Sequence, residues 1–534
     1  MGSRVDAKEG ALLAALPQRL HEIPRRWAAA TPEAEAVSEG GVAWTWRELA
    51  AAVDEGAALL RRLEVRPGDR VMIVGENCAA QVALIFAASQ CDAWVVNVNA
   101  RLSPREIDVI RGHSGARRVI YTVAVSPDAA AHAARHEAER STLPHFGEIA
   151  IGALNEHCTP EPVEQDGASQ VAALIYTTGT TGHPKGVMLT HRNLLFIAAV
   201  SSRLRRLQPQ DRVYGVLPIS HVYGLASVML GTLYAGAALH VVPRYAPQAL
   251  IDALHDEGIT VLQGVPAMYA RLLEFARGRW SPEKSRLRFI YAGGSPLDLT
   301  LKGEVEQFFG QTLHNGYGMT ESSPTIAQTR IDAPRHDTSV GQVIPGIEIR
   351  VVDEDGADVR EGEPGELWVR GPNVMKGYYH EPELTAETMR EGGWLNTGDV
   401  VRRDPDGALF VVGRTKELII RSGFNVYPVE VEAALNSHPA VTQSAVVGRE
   451  VEDGNEEVVA FVELDPARRV SIEDLQGYLA GQLSPYKCPS EIVVMKAMPA
   501  AATGKILKGQ LKQQAQDTYR ARVQDKTVKD GRPR

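Results

Sequence analysis

Short apolar runs return at regular intervals through the first three hundred residues, with amphipathic stretches between them, and this alternation constrains the fold most. "RVMIVG" (70–75), "RVIYT" (118–122), "ALIYTT" (173–178), "RVYGVLP" (212–218), "LHVVP" (239–243), "TVLQGVP" (260–266) and "LRFIYAGG" (287–294) have the length and composition of strands. Stretches such as "PQALIDALHDEG" (247–258) lie between them and read as helices. Thr45, opening "TWRE", predicts a helix cap with Glu48 reaching back to it, ahead of "LAAAVDEGAALLRRL". Strands alternating with helices imply βαβ units and mainly parallel sheets, whose ligands lie beyond the carboxyl ends of the strands.

From about residue 340 the texture changes to "GIEIRVVDEDGADVREGEPGELWVRG" and "GALFVVGR", β-rich segments cut by Asp-Gly and Pro-Gly turns, which predict a small antiparallel barrel or sheet. A further α/β pattern follows, and the basic tail "YRARVQDKTVKDGRPR" (519–534) is expected to be a frayed, solvated end. The expected fold is therefore α/β: a large N-terminal domain, 1–415, with parallel-rich sheets flanked by helices and a β-rich part over about 340–415, then a smaller C-terminal domain, 416–534.

Composition excludes several classes. With 44% hydrophobic and 23% charged residues over 534 positions, the chain is neither fibrous, disordered nor membrane-spanning in character. A net charge of -9 without a basic block in the body of the chain argues against a nucleic-acid surface. Four cysteines without CxxC spacing form no disulfide or zinc framework and point to a reducing compartment. No signal-like run opens the sequence, so the expected location is the cytoplasm, as monomer or homodimer.

Between Tyr176 and Gly186, "YTTGTTGHPKG" holds four threonines, three glycines and one lysine. Glycines let backbone N–H groups converge, Thr177, Thr178, Thr180 and Thr181 add hydroxyls, and Lys185 adds a cation, which is the inventory of a polyphosphate cradle. It lacks the Gly-Lys-Ser/Thr ending of a Walker loop, and a flexible surface loop is the competing reading.

This segment resembles the phosphate loop of the acyl-adenylate-forming superfamily, and further motifs agree in order. "YAGGSPL" (291–297) resembles its adenine wall, "NGYGMTES" (315–322) its nucleotide and magnesium segment, "TGD" (397–399) its ribose-binding aspartate, "GRTKELIIRSGFNVYPVEVE" (413–432) its hinge and "ATGKILK" (502–508) its C-terminal lysine. The resemblance spans about residues 20 to 515. It implies ATP, Mg²⁺ and coenzyme A. It places nucleotide on Thr177, Thr178, Gly179, Thr180, Thr181, Gly182, Lys185, Gly293, Gly294, Ser295, Asn315, Gly316, Tyr317, Gly318, Thr320, Asp399 and Arg414, with Mg²⁺ on Glu321. Lys505 is implied as the cation bridging substrate carboxylate and α-phosphate, Lys416 as the pivot, and Ser422 with Gly423 as the loop approaching pantetheine. Without the resemblance, Lys505 reads as a solvated loop lysine, Glu321 as a helix-start residue, His221 as a packed core residue, and Asp399 and Arg414 as structural ion-pair partners.

The implied chemistry explains the residue types. A carboxylate is repelled by the triphosphate that it must attack, at a cost for one like-charge pair 4 Å apart of about 1 kcal/mol in water and about 4 in a partly buried site. Cations and oriented donors at the α-phosphate offset that repulsion.

"HVYGLASVML" with "GYGMTESSP" is similar to aryl and phenylpropanoid CoA ligases. On that likeness His221, Tyr223, Ser227, Gly293, Gly294, Gly316 and Pro324 line the acyl pocket, whereas Tyr291 stands where plant phenylpropanoid ligases carry lysine. A medium- or long-chain fatty acid is the alternative substrate. No carrier domain occupies the 29 residues after Lys505, so free coenzyme A is the expected acceptor, with a carrier protein acting in trans as the alternative. A luciferase-like oxygenase or a silent nucleotide-binding module would share the apparatus.

Overall fold

A computed structural model describes residues 10–178, 184–276, 278–422, 424–451, 455–500 and 506–529. By contact density the chain falls into two compact units: one comprises residues up to 294, 305–349 and 368–396, the other 295–304, 350–367 and 397 onward.

The first unit is built on two large sheets. In the eight-stranded sheet the order is Gly377–Tyr378, Pro184–Thr190, Val171–Thr178, Trp94–Asn99, Arg70–Gly75, Arg118–Tyr121, Gly147–Ile151, Glu139–Leu143. Its centre is parallel, and antiparallel strands close both sides. The nine-stranded sheet runs Gln342–Val343, Thr325–Gln328, Leu313–Gly318, Phe289–Ala292, Val261–Gly264, Arg212–Gly215, Ala238–Val241, Glu35–Glu39, Val42–Thr45. It too is parallel inside and antiparallel at its ends.

Helix Ala79–Gln90, apolar nearly all round, is buried on every face, and His191–Leu204 is buried along most of its length. They share one apolar cluster with residues of both sheets and with Trp46–Arg62. Thr45 and Glu48 form the expected capping box, and Thr190 with Asn193 forms another ahead of His191. His191 is buried, and its Nδ1 accepts from the Leu20 N–H at 3.2 Å.

The β-rich region forms an open, half-barrel sheet of five strands: Glu348–Val352, Pro364–Arg370, Trp394–Arg403, Met389–Arg390 and, against Trp394–Arg403, Leu409–Arg414. Within the second unit, Val441–Glu450, Glu456–Leu464 and Glu491–Met495 form a three-stranded sheet. Period-two burial gives it two apolar faces. Val446, Val458, Ala460 and Val462 pack with helices Pro428–Asn436 and Ile472–Ala480, while Ala445, Val447, Val459 and Phe461 pack with Leu511 and Ala515 of helix Lys508–Lys529. The basic C-terminal segment, expected from sequence to fray, is thus helical to Lys529. Arg522 pairs with Glu491 at 2.6 Å, and Arg449 lies over the Tyr519 ring.

Candidate active site

The threonine- and glycine-rich segment proves to be a hairpin: Val171–Thr178 pairs antiparallel with Pro184–Thr190, bringing Thr177 opposite Lys185 and Thr178 opposite Pro184. Proline suits the first position of a returning strand, where no ladder donor is required. Gly179, Thr180, Thr181 and Gly182 lie outside the described residues. On the far side of the returning strand Gly377–Tyr378 adds to the sheet, with Tyr378 opposite Val187. The Lys185 ammonium stands 5.6 Å from the centre of the Tyr378 ring.

Tyr378 in turn donates from its hydroxyl to Glu321 Oε1 at 2.8 Å. Burial and the neighbouring Glu321 carboxylate both push the Tyr378 phenol up, so it remains a donor at any working pH. Glu321 and Thr320 sit in the buried turn Thr320–Ser322, and the Glu321 carbonyl accepts from the Met375 N–H at 2.9 Å. Lys185, Tyr378 and Glu321 therefore form one chain of cation, phenol and carboxylate. Sequence reasoning had named the outer two and missed the phenol, whose only sign was an unremarkable "GYYH". Among the described residues no group of three or more carboxylate, imidazole or thiol side chains could cage a metal by itself. A divalent ion held by Glu321 would need phosphate oxygens and water as its other ligands, the usual arrangement for magnesium.

The strand Phe289–Ala292 delivers Gly293 and Gly294, and Leu313–Gly318 delivers Asn315, Gly316, Tyr317 and Gly318. These glycines are spatial requirements. A Cβ on Gly316 would lie 1.8 Å from the Tyr291 hydroxyl, and one on Gly318 would lie 1.7 Å from the Pro324 carbonyl. Gly294, at φ +81°, is in a conformation that side chains disfavour. Asn315 is buried and spends its amide on backbone, Nδ2 donating to Ser339 O at 3.2 Å and Oδ1 accepting from Gly316 N at 2.9 Å. Tyr317 and Pro324 are half-buried.

Tyr223 opens a π-helical segment, Tyr223–Leu230, a rare conformation often found at functional sites. Its ring meets Tyr291 edge-on, with centroids 6.2 Å apart, and both rings border Gly293. His221 precedes the segment, its Nδ1 accepting from the Tyr223 N–H at 3.2 Å, which leaves the ring proton on Nε2. Ser227 is buried with Oγ 3.4 Å from Thr325 Oγ1. Gly293, Gly294 and Gly316 thus lie against the two tyrosine rings, and Ser227 belongs to the same helical segment as Tyr223.

In the second unit Asp399 and Arg414 are cross-strand partners, and Arg414 Nε donates to Asp399 Oδ1 at 2.9 Å. Asp399 is buried while Arg414 is about half exposed, so the pair presents a fixed carboxylate beside a cation that reaches solvent. Ser295 is half-buried. Lys416 is exposed in the short turn Thr415–Glu417 that links Leu409–Arg414 to Ile419–Arg421. Ser422, at φ +52°, holds the tip of the hairpin Ile419–Arg421/Phe424–Val426, its N–H donating to Asn455 Oδ1 at 2.6 Å. Gly423 and Lys505 lie outside the described residues. Lys508, three positions after Lys505, is clamped by Glu432 at 2.8 Å and Glu417 at 3.0 Å. Burial pulls its ammonium down, but the two carboxylates outweigh that and hold its pKa above the ordinary value.

The family model described as AMP-binding enzyme matches residues 24–379, and the one for the AMP-binding enzyme C-terminal domain matches 430–505. A feruloyl-CoA synthase from Amycolatopsis sp is 36% identical over 93% of this chain and 99% of its own length. The 4-coumarate--CoA ligase 2 of Oryza sativa subsp. japonica is 31% identical over 92% of each chain. Among solved structures, ATP-bound MatB from Rhodopseudomonas palustris superposes with a TM-score of 0.83 at 30% identity, covering 93% of this chain and 99% of that one.

Proposed function

The chain belongs to the AMP-binding enzyme family, and from that premise we propose that it is an AMP-forming acid–CoA ligase that activates an aryl or phenylpropanoid acid. In the first half-reaction the acid's carboxylate oxygen attacks the α-phosphorus of ATP, giving acyl-adenylate and pyrophosphate. In the second the thiol of coenzyme A attacks the acyl carbonyl, AMP leaves, and the thiol proton is released.

Thr177, Thr178 and Lys185, with Gly179, Thr180, Thr181 and Gly182, take the polyphosphate, and Thr320 donates to a phosphate oxygen. Glu321, oriented by Tyr378, is the residue to hold Mg²⁺, which supplies charge neutralisation at the phosphates when bound. Asp399 accepts from the ribose hydroxyls and Arg414 donates to the same sugar. His221 stands at the acyl pocket. Lys505 draws the two anions together in the first step. Residues 416–534 turn about Lys416 between steps, bringing Ser422 and Gly423 toward pantetheine in the second. The four cysteines, all free, suit the cytoplasm, and among the described residues no helix is long and apolar enough to cross a membrane.

The observation that carries the aryl assignment is the pair of buried tyrosine rings, Tyr223 and Tyr291, bordering bare Gly293, a surface suited to a flat ring. The test is a panel of benzoate, cinnamate, ferulate, octanoate and palmitate, scored by acid-dependent pyrophosphate release and CoA-dependent AMP release. Ferulate or cinnamate is expected to lead in both; preference for octanoate or palmitate would overturn the aryl assignment.

A further inference from the structure

Behind the two tyrosines lies a buried cation that, among the described residues, has no counter-ion. Arg205 caps the C-terminal end of helix His191–Leu204, yet its side chain is fully buried. Its Nη1 donates to the Ser227 carbonyl at 3.1 Å and to Gln263 Oε1 at 2.7 Å. The guanidinium lies over the face of Tyr291, with Cζ 4.5 Å from the ring centroid. Among the described residues its buried Nε and Nη2 meet no acceptor, and no carboxylate pairs with this arginine. Buried arginine is ordinarily paired, because an isolated charge in a protein interior is among the costliest arrangements a fold can carry.

The neighbouring polar atoms have the same character. Tyr223 Oη is buried without a partner, and so is Gln263 Nε2. Neither Tyr223 nor Tyr291 offers a phenolate to balance the charge, since burial pushes both phenols up even against the opposing pull of Arg205. Among the described residues the cluster thus holds four unused donor groups and one uncompensated positive charge, beside the rings that border Gly293. Beyond the Tyr291 hydroxyl, which interacts with Arg205, the described residues supply these donors with no acceptor, and an oxygen placed among them would answer part of the need. Arginine's planar fork is suited to this: two N–H directions left open while a third group anchors the side chain.

We propose that Arg205 is a specificity-determining residue, which with Tyr223 binds an oxygen substituent, such as a ring hydroxyl, on the acyl group at a position away from its reacting carboxylate. This rests on the reading of the protein as an aryl acid–CoA ligase and adds which aryl acids it prefers. A ring without such an oxygen leaves the cation and the phenol unsatisfied and is discriminated against on that account.

The test compares kcat/KM for 4-hydroxycinnamate and for cinnamate, with coenzyme A saturating, in the parent enzyme and in Arg205→Met, Arg205→Lys and Tyr223→Phe. The parent should prefer the hydroxylated acid by about 10²-fold, the upper end of what leaving one buried polar group unsatisfied costs. In Arg205→Met that ratio should collapse toward unity, in Arg205→Lys it should be partly retained, and in Tyr223→Phe it should fall by about tenfold. A ratio unchanged in Arg205→Met, with both acids slowed alike, would make Arg205 structural and overturn the proposal. If Arg205→Met does not fold, Tyr223→Phe decides the matter by the same ratio. A parent enzyme that activates no aromatic acid would instead refute the aryl reading itself, whereas one that activates both cinnamates equally refutes this inference alone.

Discussion

Gly293→Ala gives the most direct test of how a ring is housed. A methyl at this position would lie 3.3 Å from Cε1 of Tyr291 and 3.4 Å from both Cε1 and the hydroxyl of Tyr223. No left-handed φ is needed at Gly293, so alanine carries no backbone strain and the whole effect is one of contact. Tyr291 has little room to yield, with Arg205 against its face and the Tyr269 hydroxyl donating to its carbonyl at 3.0 Å. Overfilling a packed site by one methyl costs about 1–3 kcal/mol, or roughly 5- to 150-fold in affinity. We therefore expect the KM for ferulate to rise within that range, measured from initial rates of CoA-dependent AMP release. The unfolding midpoint should fall by no more than about 3 °C, because contacts of 3.3–3.4 Å ask the protein's own rings to give only slightly, whereas the methyl stands in the space the substrate ring needs. An unchanged KM in a folded variant would refute the placement of the substrate ring against Tyr223 and Tyr291.

Tyr378→Phe removes the hydrogen bond that orients Glu321, an interaction with a charged acceptor worth about 1.5–3 kcal/mol. The Mg²⁺ concentration for half-maximal pyrophosphate release should rise by about tenfold, and an unaltered magnesium profile would count against Glu321 as the metal-holding residue. Lys505→Ala should slow adenylation by about 10²- to 10³-fold, the scale for losing one transition-state donor. Thioester formation from supplied acyl-adenylate should survive, and equal losses in both steps would contradict the division of roles. Burial holds the His191 imidazole well below its ordinary pKa, with the Arg19 and His21 charges adding to this. The unfolded chain then binds a proton that the native one refuses, so this contribution to stability is complete above about pH 6.5 and is lost as pH falls below it. His191→Asn keeps an acceptor for the Leu20 N–H without titrating; its thermal midpoint should fall less between pH 7.5 and 5.5 than that of the parent, and parallel curves would refute the assignment.

Elements specified by neighbouring residues were readable from the sequence. "RVMIVG" is the strand Arg70–Gly75, and the Thr45–Glu48 cap sits where its spacing predicts. The sequence shows the phosphate segment as a glycine-rich cradle that follows the strand-like "ALIYTT". Its return as Pro184–Thr190 was hidden because "GVMLT" runs directly into a helical pattern and carries no turn of its own. Tyr378 was missed for a different reason: its partner Glu321 is 57 positions away, and the two meet only because Gly377–Tyr378 adds to the sheet edge beside Pro184–Thr190. Arg205 was invisible inside "RLRRL", where Arg203 and Arg206 make the whole stretch look like a solvated helix end. Only tertiary packing separates the buried arginine from its neighbours. The last helix shows no apolar face in the sequence because its charged residues outnumber Leu511 and Ala515, which bury.

The π-helical segment Tyr223–Leu230 also limits how this pocket can diversify. Its first turn is pressed against the preceding chain, since a side-chain carbon on Gly224 would fall 2.1 Å from the Pro218 carbonyl. Inserting or deleting one residue would rotate everything downstream by roughly 100° about the helix axis and carry Ser227 away from Thr325. New acyl preferences are therefore open to this lineage through exchanges of side chain at fixed length, and indels within the segment are closed to it.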